Sequence, residues 1–253
     1  NQMRSEIIKL RQKVNTTFIY VTHDQTEAMT LGDRIVIMKE GFVQQVGTPQ
    51  EVFHHPANLF VAGFIGTPQM NFFDARLLRE GDRYSVELGG DGPTGTLRVR
   101  LSPEKEARLL ANQVESRDIT LGVRPEHILL SEGAEAVSTS VEVAEMMGSA
   151  VHIHVSAWGR EVVIVVPVSE EESESENRFW RGAAVRFLFR GSASHVFDRE
   201  TGMNLERQTE PPRVAEPAED LAAEGAPDVP AEMADALPEP ASQEQADPFA
   251  EDE

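Results

Sequence analysis

Residues 16–27 read Thr16-Thr17-Phe18-Ile19-Tyr20-Val21-Thr22-His23-Asp24-Gln25-Thr26-Glu27. The first seven are β-branched or aromatic without polar alternation, the pattern of a strand covered on both faces in a parallel sheet. Asp24 then reads as a helix N-cap with Glu27 at the third helical position. The short helix they open runs to Leu31, where Gly32 is placed to end it in a left-handed conformation. His23 is left at the carboxyl end of the strand, where ligands bind in open α/β sheets. Upstream, Met3, Ile7, Leu10 and Val14 recur at helical spacing, with Arg4, Glu6, Lys9, Arg11 and Lys13 mostly on other faces. A helix leading into a buried strand is α/β order. Residue 1 is asparagine and no N-cap precedes this helix, so the chain reads as the rear part of a longer one.

Downstream, residues 34–39 and 42–46 are predicted as two strands around the turn Lys39-Glu40-Gly41. Thr48-Pro49-Gln50-Glu51 is a capping box with proline at the first helical position, opening a helix to His54. Pro56 is expected to start another, burying Leu59, Phe60 and Phe64 before Gly66-Thr67-Pro68 breaks it. From Asn71 the pattern changes to short strands at barrel spacing, over 73–78, 84–88, 96–101, 119–123, 137–143, 151–155, 161–166, 185–189 and 194–197. One helix, 103–112, interrupts them, and the acid-serine run 169–176 reads as a solvated loop. Three regions follow: 1–70 in α/β style, 71–206 mostly β, and 207–253.

That last region holds 14 acids against two arginines, so it carries −12 of the formal net charge of −20. It also holds eight of the 15 prolines and one aromatic, Phe249, and is predicted to be a disordered acidic tail, since it has too little apolar surface to offset its ordering entropy. The 253 residues include no cysteine, which excludes disulfides, thiolate nucleophiles and cysteine-based metal sites, and fits a reducing compartment. Only four lysines occur and no basic run, which argues against nucleic acid as a partner. No apolar stretch approaches the roughly 20 residues that cross a bilayer.

The runs Tyr20-Val21-Thr22-His23-Asp24-Gln25, Glu27-Ala28-Met29, Asp33-Arg34-Ile35-Val36-Ile37-Met38 and Gln45-Val46-Gly47-Thr48-Pro49 closely resemble the ATP-binding subunits of ABC importers, those of the maltose and glycerol-3-phosphate carbohydrate type above all. Further along, Leu121-Gly122-Val123-Arg124-Pro125-Glu126-His127, Gly148, and His195-Val196-Phe197-Asp198 with Thr201-Gly202 resemble the regulatory domain of that family. The resemblance implies that residues 1–70 are the C-terminal part of the ATPase domain and that 71–206 form small OB-like β barrels. It implies ATP and Mg²⁺ as cofactors. His23 would be the switch histidine of the H-loop, contacting the γ-phosphate and helping to place attacking water. It implies as partners a second ATPase subunit, membrane permease subunits and, indirectly, an extracellular solute-binding protein, at the inner face of the cell membrane. Ile65-Gly66-Thr67-Pro68-Gln69-Met70-Asn71 points to sugar rather than polyamine as cargo. The chain also departs from the family: no lysine follows a glycine, so there is no G-x-x-x-x-G-K-[ST] loop, and there is no apolar run ending in Asp-Glu and no L-S-G-G-Q signature. It is expected to be inactive by itself. The rival class is a small-ligand or protein-docking β module with a vestigial ATPase remnant.

Other residues invite chemistry but have plainer readings. Asp24, Glu27, Thr48 and Glu51 read as caps rather than catalytic groups. Arg34 fits a surface ion pair better than a phosphate contact. His152 and His154 share one strand face, a zinc-compatible spacing, yet no third ligand accompanies them. The adjacent His54 and His55 suit a helix C-terminus rather than a shared metal. Arg124 and Glu126 are expected to pair across a turn fixed by Pro125. No metal site is assigned.

Overall fold

The computed structural model describes residues 2–14, 16–90, 94–168 and 179–207. The predicted loop 169–176 and the acidic tail beyond Arg207 lie outside them. Helix α1 (Gln2–Lys13) is followed by an irregular segment and by α2 (Gln25–Leu31). The predicted strand 16–22 does not form. Ile19 is 84% and Val21 91% exposed. A parallel strand needs hydrogen-bonding neighbours at its edges and helices on its faces, and the described residues place no strand beside this run.

Strands β1 (Ile35–Lys39) and β2 (Phe42–Gly47) make an antiparallel ribbon, followed by α3 (Pro49–His54) and α4 (Leu59–Phe64). Glu40 and Gly41 both take positive φ, 52° and 84°, as a two-residue turn matched to strand twist requires. Alternation buries Ile35 and Ile37 against Val52, Val61 and Ile65 and leaves Val36, Met38 and Val43 exposed on the other side. The Thr48 capping box forms as expected, with both reciprocal bonds present. Three local expectations fail, the first being burial of Phe64, which is 41% exposed on α4. Gly32 is extended (φ −87°, ψ 136°), because the chain leaves α2 straight towards β1. Pro56 starts no helix; Asn58 caps α4 instead, accepting from the Val61 amide at 2.9 Å. Asparagine has the side-chain acceptor that a cap requires and proline lacks.

The remainder is β3 (Asn71–Glu80), β4 (Arg83–Leu88), β5 (Leu97–Arg100), α5 (Pro103–Ala111), β6 (Arg117–Val123), a 3₁₀ turn Pro125–His127, β7 (Ile128–Leu130), β8 (Val137–Met146), β9 (Ala150–Ala157), β10 (Arg160–Pro167), β11 (Ala184–Phe189) and β12 (Ser194–Asp198). Every predicted strand from residue 73 onward is present; the three-residue β7 was not foreseen. The strands form two five-stranded antiparallel sheets, ordered β12-β6-β3-β4-β5 and β10-β9-β8-β11-β7. Their facing sides share one core, in which Leu77, Val86, Ile119 and Leu121 of the first meet Ile153, Val155, Ile164 and Phe187 of the second. Side chains of period two with one apolar face make this the economical arrangement. Phe73, Trp158, Phe187 and Phe189 pack ring against ring inside it at centroid separations of 5.1–6.1 Å. The Asn71 amide stitches the sheets together, donating to the Val163 carbonyl and accepting from the Val163 amide, each at 2.9 Å.

Candidate functional site

His23 stands on the surface immediately before α2. Asp24 caps that helix as predicted, its Oδ1 accepting from the amides of Thr26 (2.7 Å) and Glu27 (3.2 Å). Glu27 has a different task from the capping role expected of it. Its Oε2 accepts from the hydroxyls of Tyr20 (3.1 Å) and Thr22 (2.8 Å), and the Thr22 hydroxyl accepts from the Asp24 amide (3.0 Å). Four polar side chains, those of Tyr20, Thr22, Asp24 and Glu27, thus hold residues 20–24 in a fixed loop around His23, although the run carries no ladder bonds.

Gln25 ties this loop to the rest of the molecule, its Oε1 accepting from the Gly66 amide at 3.0 Å across 41 residues of sequence. Next to Gly66, the Ile65 carbonyl accepts from Arg124 Nη1 at 2.6 Å. Arg124 also donates from Nη2 (2.6 Å) and Nε (3.2 Å) to the Phe53 carbonyl, and its guanidinium stacks 3.7 Å from the Phe53 ring centroid. The residue is 1% exposed. The expected pairing with Glu126 across the turn is therefore replaced by a clamp: Glu126 is exposed, while the arginine is drawn inward to two carbonyls and a ring. Phe53 lies in the last turn of α3 and Ile65 is the C-cap of α4, so one cation satisfies the orphan carbonyls and the negative dipole ends of two helices. Burial pulls its pKa down to about 10, with Glu126 opposing, which leaves it charged at neutral pH. Gly66 is essential to the closeness of this contact: at φ +116° a Cβ there would lie 2.7 Å from Arg124 Nη1.

The remaining histidines are elsewhere. His154 sits on β9 with Nδ1 2.6 Å from Glu161 and Nε2 3.5 Å from Glu145, its ring flanked by two carboxylates of the sheet. His152 is opposite Glu145 in the β8–β9 register. Among the described residues no three His, Asp or Glu side chains converge as metal ligands would. His54 and His55 close α3, where His54 packs edge-on against Phe53. Burial lowers the pKa of His55 and His127 and pushes that of His195 well below 6.5, with Lys105 and Arg124 adding to the effect on His195. Sequence reading also missed a buried ion pair, Lys105 Nζ to both Glu206 oxygens at 2.7 Å, 101 residues apart in sequence. Burial draws the Lys105 ammonium below the usual lysine range while Glu206 acts to hold its proton.

Comparison with known proteins sets these features in a family. The MalK OB fold domain matches residues 66–128 and the TOBE domain residues 121–197. The chain is 42% identical over 201 residues (79% of this chain) to the uncharacterized ABC transporter ATP-binding protein YcjV of Escherichia coli O6:K15:H31. It is 40% identical over 205 residues (81%) to the sulfoquinovosyl glycerol transport ATP-binding protein SmoE of Agrobacterium fabrum. It is 39% identical over 227 residues (81%) to the trehalose import ATP-binding protein SugC of Mycobacterium tuberculosis. The chain spans about half the length of these relatives, 51%, 52% and 55% respectively. Among solved structures, the cytoplasmic molybdate-binding protein ModG matches 49% of this chain and 92% of its own at 15% identity and a TM-score of 0.37, too distant to bear on fold or ligand. With OB and TOBE matches in series and these relatives on either side of 40% identity, the chain is similar over 79–81% of its length to ABC transporter ATP-binding proteins.

Proposed function

We propose that this chain is the C-terminal portion of the ATP-hydrolysing subunit of an ABC importer for sugars or sugar phosphates, and that His23 is its switch histidine. The relatives favour this over a free-standing β module. The observation that carries it is the loop itself: an exposed histidine, braced by Tyr20, Thr22, Asp24 and Glu27, at the end of an apolar run that stays uncovered. Phe18, Ile19 and Val21 are 52%, 84% and 91% exposed, and an apolar strand sequence of that kind acquires its hydrogen bonds and cover from neighbouring strands and helices of an ATPase domain.

The sequence offers no phosphate-cradling loop, and the described residues offer no cluster of three His, Asp or Glu ligands. On this reading His23 supplies one imidazole donor to the Mg-ATP site. A second ATPase subunit, membrane permease subunits and, indirectly, an extracellular solute-binding protein complete the assembly, at the inner face of the cell membrane. No helix among the described residues is long and apolar enough to cross a membrane.

The test uses the subunit extended in frame with its upstream sequence. His23→Ala is expected to lower turnover by about 10² to 10³, the usual cost of one donor acting on transition-state charge, while nucleotide binding stays nearly unchanged. The chain by itself is expected to show no saturable Mg-ATP binding by calorimetry. Retention of more than about half of normal turnover by His23→Ala, a loss under 0.5 kcal/mol, overturns the assignment.

A further inference from the structure

Arg124 is a buried guanidinium whose three hydrogen bonds within the described residues go to main-chain carbonyls, those of Phe53 and Ile65. A buried charge without a carboxylate partner is costly, and surrounding dipoles must offset it. The C-terminal carbonyls of α3 and α4 do so, which makes the placement of both helix ends depend on one side chain at the end of β6. The dependence continues outward. Gly66, the residue next to the Ile65 anchor, donates its amide to Gln25, and Gln25 is the first residue of α2, two beyond His23. A Cβ on Gly66 would lie 2.7 Å from Arg124 Nη1, so the guanidinium packs directly against Gly66, and the Gly66 amide carries that contact on to Gln25.

We propose that Arg124 is a positioning residue for His23: the first β sheet holds the C-terminal ends of α3 and α4 through its guanidinium, and the Gly66–Gln25 bond passes that placement to the His23 loop. The role rests on the reading of His23 given above. Its physical core, that the α2 loop takes its position from Arg124, stands or falls separately. The clamp gives the sheets a direct grip on the one catalytic element this chain supplies, since what moves β6 moves the ends of α3 and α4.

Two measurements test this. The first is amide hydrogen exchange in the present chain, read at Gly66 and at the α2 amides of Ala28 and Gly32. Arg124→Lys keeps the charge but cannot hold both carbonyls, and is expected to raise exchange at all three by about tenfold or more, as local opening does. Gln25→Ala, which spares the buried guanidinium and so reports even if Arg124→Lys unfolds, is expected to do the same in α2 while α3 stays protected. Thr48→Ala, which uncaps α3 only, is the control and is expected to leave α2 unchanged. Exchange confined to α3 and α4 in Arg124→Lys, or unchanged α2 exchange in Gln25→Ala, overturns the proposal. The second is steady-state hydrolysis by the extended subunit, where Arg124→Lys and Gln25→Ala are expected to lower kcat at least fivefold with KM for Mg-ATP within twofold. A rise in KM with kcat unchanged overturns the positioning role. Full turnover in His23→Ala, beside the expected exchange pattern, would instead reject the catalytic reading of His23 and leave the clamp standing.

Discussion

At the scale of single residues, Arg124 shows how context reverses a local expectation. A sequence Arg-Pro-Glu invites a pair across the turn, but an exposed pair is worth only about 0–1 kcal/mol, whereas the helix-end carbonyls of Phe53 and Ile65 offer three bonds and a ring to stack on. Gly66 is the counterpart that permits the approach. Gly66→Ala is expected to cost about 1–3 kcal/mol, from the φ of +116° and the 2.7 Å approach to Nη1, seen as a lower melting temperature and urea midpoint. Gly41→Ala is the comparison: it also has positive φ, +84°, but open space around its Cβ, and is expected to lose less. Equal losses at the two positions would mean that backbone strain alone matters at Gly66.

At the scale of elements, α5 is fixed to the closing segment of the described chain by Lys105 and Glu206, whose side chains are 7% and 4% exposed. The Asn112 amide adds bonds to the carbonyls of Leu205 (2.8 Å) and Arg207 (2.9 Å). Breaking such a pair from one side strands a buried charge, while replacing both partners does not. Lys105→Met or Glu206→Leu is therefore expected to destabilise by about 3–5 kcal/mol, and the double variant Lys105→Met/Glu206→Leu by much less. Chemical denaturation of the three proteins checks this; strictly additive losses would show that the pair is not coupled. The ribbon β1–β2 illustrates the opposite case, an element legible from sequence alone. Its turn residues and alternation define it locally, whereas the run 16–22 has the composition of a strand but needs partners that the described residues do not bring.

Across the whole molecule, burial of histidines sets a pH dependence of stability. His195 is 6% exposed and its folded pKa lies well below the ordinary 6.5, desolvation being the chief cause. The unfolded chain then binds a proton that the folded chain does not, so the contribution is complete above pH 6.5 and is lost as pH falls below it, approaching about 1.4 kcal/mol per pH unit for this one group. His55 and His127 shift in the same direction. Asp198 and Glu51, with lowered carboxyl pKa values, act only in more acidic solution, where their stabilisation is lost in turn. Melting at pH 7.5, 6.5 and 5.5 is expected to show a falling midpoint, and His195→Gln to flatten it; an unchanged slope in that variant would assign the effect to other groups.

Neighbours along the chain were enough to place the strands from residue 73 onward, their alternating faces, the turn at Glu40 and Gly41, and the caps Asp24 and Thr48. The family resemblance was legible too, because His23 stands in a run of fixed order. Contacts between distant residues emerged only in the folded chain. It joined Gln25 to Gly66, Arg124 to Phe53 and Ile65, Asn71 to Val163, and Lys105 to Glu206, across 41 to 101 positions. Periodicity and capping report the face a residue presents and the end of an element it closes, but the partner of a buried charge is fixed by the close packing of sheets and helices that meet only in the folded chain.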